Sequence, residues 1–291
     1  MSNNIQTTGR KQEEWRQLWR QFARRPVSLI GLALILLLIG TAAGADILAP
    51  MDPYGVNLDD RLAAPANGHP LGQDGLGRDV LSRLIYGARV SILVGVVSVL
   101  ASAIIGTTIG VVAGYRGGWV DEVLMRILDV FLAFPGLLLA IAVMAILGPS
   151  LQNVIIALTL SGWKVYARVA RGQVLVEREK EYVVASRALG VHPLFVMARH
   201  ILPNISAPLI VTMTLGMAGM IMQEAGLSFL GLGAQPPTAS WGSMLADGHT
   251  YILTAWHLTV FPGLAIMATV LGFNFLGEGM RDALDPRLRP M

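Results

Sequence analysis

An all-α, polytopic integral membrane fold is predicted for this chain, on three observations. Only 14% of its 291 residues are charged while 54% are hydrophobic, against about a quarter charged in an ordinary soluble domain. The apolar residues gather into six runs, each near the roughly twenty residues that a helix needs to cross a bilayer. The basic residues are shared very unequally among the segments between those runs.

Residues 1–26 are polar and carry six basic side chains, Arg10, Lys11, Arg16, Arg20, Arg24 and Arg25. Trp15, Leu18, Trp19 and Phe22 recur every three or four positions, the signature of an amphipathic helix lying along the membrane surface. Residues 27–49 hold the first span, uncharged from 27 to 45; it lacks a convincing cleavage context and is expected to be retained. Residues 50–89 form a polar segment opening on Pro50, Asp52 and Pro53 and closing on an interfacial helix over 78–86, where Val80, Leu81, Leu84 and Ile85 share a face. The core, 90–277, holds five further spans, placed at 90–115, 123–147, 151–167, 205–229 and 253–276. The second span is rich in small residues such as Gly95, Ser102, Gly106 and Gly110, which let helices approach closely in lipid. Pro135 can kink the third span. Arg126 and Asp129, three apart near its start, are expected to pair, and Lys164 is expected to snorkel from the fourth span to the interface. A polar tail follows at 278–291.

With the N-terminus on the cytoplasmic side, the inner segments hold eighteen Lys and Arg residues and the outer ones four. Basic residues are retained on the cytoplasmic side, so both termini are expected there. One segment then dominates the inner face: a polar island over 177–204, between the fourth and fifth spans. It reads as two short helices. The first ends at Gly190, suited to the left-handed position that closes a helix; Pro193 suits the first turn of the second, and Pro203 is expected to stop it.

Much chemistry is excluded. The chain has no cysteine, hence no disulfide, thiolate metal site or cysteine nucleophile. No Gly-Lys-Ser/Thr phosphate loop, His-Glu-x-x-His or Gly-x-Ser-x-Gly occurs. The five histidines, His69, His192, His200, His249 and His257, do not follow a ligand spacing. Glu224 is an acidic group well inside an apolar run; it reads equally as a lining or gating group of a path, with Gln223 and Ser228 beside it, or as a buried group paired at the bundle edge.

The polar island resembles the coupling loop of permease subunits of ATP-binding-cassette importers, in the dipeptide/oligopeptide/nickel branch. The resemblance rests on Glu181-Tyr182-Val183, Ala185-Ser186-Arg187, Gly190 and Arg199-His200-Ile201-Leu202-Pro203-Asn204. Against the superfamily's Glu-Ala-Ala pattern, Val184 replaces the Glu and Ser186 the second Ala. Further blocks are similar to the branch's C-type subunits: His69-Pro70-Leu71-Gly72 with Leu76-Gly77-Arg78-Asp79; Glu224 with Leu227-Ser228-Phe229 and Ser240-Trp241-Gly242; and Phe273-Asn274 with Asp285-Pro286-Arg287.

The resemblance implies a six-span permease, not itself an enzyme, in the inner membrane of a prokaryote. A homologous second permease, two cytoplasmic ATPases and an external substrate-binding protein would complete it, with peptide as the expected substrate and nickel or another small solute as alternatives. ATP and Mg would sit on the ATPases, with no cofactor or metal on this chain and no nucleic-acid partner. Glu181, Tyr182, Val184, Ala185, Ser186, Arg187, Gly190, Arg199, His200, Leu202 and Pro203 would couple to the ATPases. Read from residues alone, an ion-gradient carrier is the rival; such carriers usually show repeats and more charges within the membrane. A membrane-embedded enzyme lacks a nucleophile–base constellation.

Overall fold

The structure, a computed structural model, describes residues 19–284. The predicted surface helix lies mostly outside those residues; at its described end the Trp19 and Phe22 rings stack with centroids 5.8 Å apart. Asp285-Pro286-Arg287 also falls outside. Every extended regular element among the described residues is a helix.

Helix α1, Pro26–Ala43, starts with a proline at its first turn, where no N–H is needed. An irregular polar segment leads to α2, Val80–Arg116, of 37 residues. Here the expected boundary moves: the interfacial helix and the second span are one unbroken helix, about 55 Å long at 1.5 Å per residue. Neither a proline nor an unpaired charge interrupts it. Asp79 caps it by accepting from the Ser82 N–H at 2.7 Å, and Arg83 and Arg89, which would otherwise argue for a break, are held by Pro53 O at 3.2 Å and Asp46 at 2.8 Å.

Helices α3, Gly118–Ala133, and α4, Gly136–Leu147, are bent by 89° at Phe134–Pro135, so the kink expected at Pro135 is a break. Asp129 does not pair with Arg126; it meets Arg168 at 3.2 Å, because α3 lies along the next helix. That helix, α5, runs Leu151–Glu177. After the hairpin come α8, Ser206–Phe229, α9, Trp241–His249, and α10, His257–Leu284. The last helix starts and ends later than expected; Leu253 lies in the preceding loop, and the helix reaches into the expected tail.

Four helices, α1, α2, α8 and α10, are long and apolar enough to cross a membrane, and the α3–α4 pair makes a fifth. The six expected spans are therefore not matched one for one. The difference is α5, long enough at 27 residues but carrying Lys164, Arg168 and Arg171. Those charges are answered by α3: Arg171 forms a two-point pair with Asp121 at 2.5 and 2.6 Å.

Helices α2 and α5 form the central pair. Gly106, Gly110 and Gly114 stand one turn apart on α2. A Cβ at Gly106 would lie 2.2 Å from Trp163 O, and one at Gly110 2.3 Å from Ala167 O. Backbone-to-backbone contact of this kind replaces the hydrophobic drive that lipid does not provide. The same device joins α1 to α10, where a Cβ at Gly31 would meet Leu276 N at 2.7 Å.

Candidate functional site at the hairpin of residues 177–204

Helix α6, Glu181–Ala188, and α7, Pro193–Val196, make the hairpin. Gly190 has φ +73°, which an L side chain adopts only at a cost, and its N–H closes α6 by donating to Arg187 O at 3.0 Å. Pro193 is the first residue of α7. Pro203 does not stop the second helix, as it was expected to. The backbone passes through a wider π turn, Met197–Ile201, into a last helical turn, Leu202–Asn204. The Leu202 N–H reaches Met197 O, one residue further back than in an α-helix, and such bulges are a usual local response to a proline.

The hairpin is fastened from beneath by apolar packing. Val183, Val196 and Ile201 are fully buried and pack against Val111 and Tyr115 of α2, Val174 of α5 and Leu209 of α8. A polar network adds direction. The Tyr182 hydroxyl donates to the Glu177 carboxylate and accepts from Asn204 Nδ2 at 3.0 Å, and Lys180 meets the other Glu177 oxygen at 2.7 Å. The end of α5, the start of α6 and the approach to α8 are thus joined through one phenol. Partial burial and the bond to Glu177 push the Tyr182 hydroxyl up to about 12. The His200 ring lies edge-on between Tyr182 and Phe195, at 6.0 and 5.9 Å. Arg187 lies 5.7 Å from the Tyr115 ring centroid, and Ser186 Oγ donates back to Tyr182 O at 2.8 Å.

The outer face of the hairpin is apolar and uncovered. Leu189 is 83% exposed, Leu194 64% and Phe195 54%, with Val184 and Leu202 also exposed. Glu181, Ala185, Arg187 and Arg199 surround them, all exposed. The structure therefore brings the predicted hairpin residues to one end of the bundle, in two layers: Tyr182 and His200 in the fastening network, the rest outward. Sequence reading gave no role to Glu177, Lys180, Asn204 and Tyr115, which hold the hairpin. The buried Glu177, at the end of an otherwise basic helix, was the signal available.

The other predicted group lies elsewhere. Glu224 is completely buried, accepts from Ser228 Oγ at 2.7 Å, and has one carboxylate oxygen without a partner. The loop before α9 and the start of α9 close over its partner Ser228: a Cβ at Gly233 would fall 1.8 Å from Ser228 Oγ, and one at Gly242 2.7 Å from Ser228 Cβ. Glu224 and Ser228 thus sit in a sealed seam in this conformation. Gln223, one residue away, points differently, with its Oε1 3.3 Å from where a Cβ of Gly136 would be, at the α3–α4 break. Among the described residues no group of three His, Cys, Asp or Glu side chains could hold a metal ion.

Comparison with known proteins gives this architecture its context. The family described as binding-protein-dependent transport system inner membrane component matches residues 106–290, and the N-terminal TM domain of oligopeptide transport permease C matches residues 14–65. A glutathione transport system permease protein of Pectobacterium atrosepticum is 45% identical over 276 residues, covering 94% of this chain and 92% of that protein. A dipeptide transport system permease protein of Alkalihalophilus pseudofirmus is 44% identical over 275 residues, covering 94% of this chain and 90% of that protein. An inward-facing structure of the MetNI methionine ABC transporter shares the fold, with TM-score 0.57 at 19% identity over 70% of this chain and 97% of that one.

Proposed function

Because the chain belongs to the family of inner membrane components of binding-protein-dependent transport systems, we propose that it forms half of the membrane pathway of an ATP-driven importer of di- or oligopeptides. The observation that carries this reading is the hairpin: rigidly held from below, apolar and uncovered above, and set between α5 and α8. An exposed apolar patch on a fastened element is what a partner's groove requires. Two cytoplasmic ATPases would hold this hairpin and its counterpart on a second, similar permease. On ATP binding their closure would move both hairpins and rock the spans between inward- and outward-open states. ATP and Mg would stay on the ATPases.

The charge distribution supports six spans, with α5 crossing as the fourth, and cytoplasmic termini and hairpin in a bacterial inner membrane. Both substrates named for the two relatives, glutathione and dipeptides, are short peptides, which favours peptide over nickel. An external binding protein would deliver it at the far end of α2. Gln223 lies at a break in a span and is the better candidate for the path; Glu224 and Ser228 would reach it only when the loop before α9 moves.

The test is purification of the tagged chain from its own membranes in mild detergent, with Gly190→Asp as control. Co-purifying ATPase activity that the variant loses, while the variant still inserts, is the expected result. A chain that brings no ATPase under conditions preserving its partners would point instead to a gradient-driven carrier.

A further inference from the structure

Lys164 is at the middle of α5, thirteen residues from Leu151 and thirteen from Glu177, or about 20 Å from either end. It does not snorkel. It is 6% exposed, and its ammonium donates to two backbone carbonyls, Phe131 O at 2.9 Å and Phe134 O at 3.0 Å. No carboxylate of the described residues lies within 4.0 Å of it.

The two carbonyls are among those that the end of α3 leaves without helical partners. In a continuous helix Phe131 O would accept from residue 135, but Pro135 has no N–H. Phe134 has turned to an extended conformation, with ψ 130°, which takes its carbonyl out of the α-helical ladder. A backbone acceptor left unpaired at membrane depth is costly, and the C-terminal end of α3 carries partial negative charge that suits a cation. On the other side of the break, Gln223 Oε1 stands over Gly136, the first residue of α4. The break is therefore flanked by side chains from α5 and α8, the two helices between which the hairpin is set.

From this geometry we infer that Lys164 is a positioning residue for transport: it ties the α3–α4 break to α5, so that displacement of the hairpin is delivered to the break as a movement of the path wall. The inference rests on the coupling role of the hairpin proposed above. Thirteen residues of unbroken helix join Lys164 to Glu177, and the Tyr182 network joins Glu177 to the hairpin. Between these two points Arg168 and Arg171 pair with Asp129 and Asp121 of α3, so α5 and α3 move as one body and the Lys164 contacts carry that motion to the end of α3.

The test compares Lys164→Met with Lys164→Arg in the assembled transporter, reading uptake of labelled dipeptide and labelled glutathione against ATP hydrolysed. Removing the donor should lower uptake per ATP about tenfold while hydrolysis continues; restoring donors with Arg should recover most of the ratio. Because the natural chain has no cysteine, Phe134→Cys gives a single reporter at the break. Its labelling by a water-soluble maleimide should change on nucleotide trapping, and should stop changing once Lys164→Met is added. An uptake-to-ATP ratio equal to that of the wild-type chain, with labelling that still responds to nucleotide trapping in Lys164→Met, would overturn the inference. If that variant does not assemble, Lys164→Gln and Lys164→Arg decide, since both keep a donor: assembly with coupling lost in both overturns it as well. If the wild-type chain brings no ATPase, the coupling reading fails first and this inference with it, whereas ATPase present with a normal ratio in Lys164→Met sinks the inference alone.

Discussion

The two ends of α2 carry polar segments of similar character and opposite design. At its start, the 69–83 segment is closed on itself. Asp74 takes Arg78 at 2.7 Å and Arg83 at 3.4 Å, all three nearly or fully buried; Asp79 takes His69 at 2.9 Å. Trp241 of α9 donates to Leu84 O at 2.8 Å and lays its ring on Gly87. Blocks about 160 residues apart in the chain are interlocked there. At the other end the hairpin ties Glu177, Lys180, Tyr182 and Asn204 into one network but leaves Leu189, Leu194 and Phe195 in the open. The first is a cap in which Leu76 is the one large apolar side chain of residues 69–83 left exposed; the second presents a whole apolar face, which the proposed ATPase contact would cover. Both are polar islands between spans, so polarity alone does not tell a cap from a docking element. Which apolar side chains remain uncovered does.

The glycines of the two ends give the widest contrast. Gly77 and Gly190 have nearly the same backbone angle, φ +70° and +73°. A Cβ on Gly77 would fall 1.6 Å from Asn57 O, whereas one on Gly190 meets nothing within 4 Å. Gly77→Ala is expected to destabilise the chain by about 4 kcal/mol or prevent its folding, and Gly190→Ala by only about 1 kcal/mol. Thermal unfolding of the detergent-purified variants measures both, and equal losses would erase the distinction between the ends.

Within the cap, Arg83→Met should cost about 3 kcal/mol, because Asp74 loses one of its two cations in a buried site; the same measurement reads it. At the hairpin, Tyr182→Phe removes the hydroxyl shared by Glu177 and Asn204 and should cost about 1–2 kcal/mol, seen as faster proteolytic nicking between α5 and α8. The pH dependence follows from the raised hydroxyl of Tyr182, at about 12. The folded state holds this proton more tightly than the unfolded chain, whose tyrosines titrate near 10. The contribution is therefore complete below about pH 10 and is lost as pH rises toward 12. A spectroscopic titration should show one late-ionising tyrosine fewer in Tyr182→Phe.

The smallest effect on stability is expected from Leu189→Ser, within about 0.5 kcal/mol because its side chain touches little, yet this variant should lose much of the ATPase retained by the wild-type chain. A large loss of stability instead would mean that the exposed face is packed against the chain's own elements.

What the sequence by itself determined is the part written in local terms. Long uncharged runs such as 27–45 must be helices in lipid, because a spanning backbone has to satisfy its own hydrogen bonds. Gly190 and Pro193 mark the hairpin because each restricts or permits one backbone angle. Even the break at Pro135 follows from a missing N–H. What only the tertiary structure decided are the partners. Asp129 chose Arg168 over Arg126 because α3 lies along α5. The stretch 80–116 became one helix because Asp46 and Pro53, far back in the chain, hold Arg89 and Arg83. Glu224 is sealed because Gly233 and Gly242, before and at the start of α9, close over its partner Ser228, and Lys164 caps carbonyls thirty residues before it. A charge within a span must find a partner, and the sequence states that requirement; which partner comes within 3 Å depends on how helices distant in the chain cross, which no local pattern encodes.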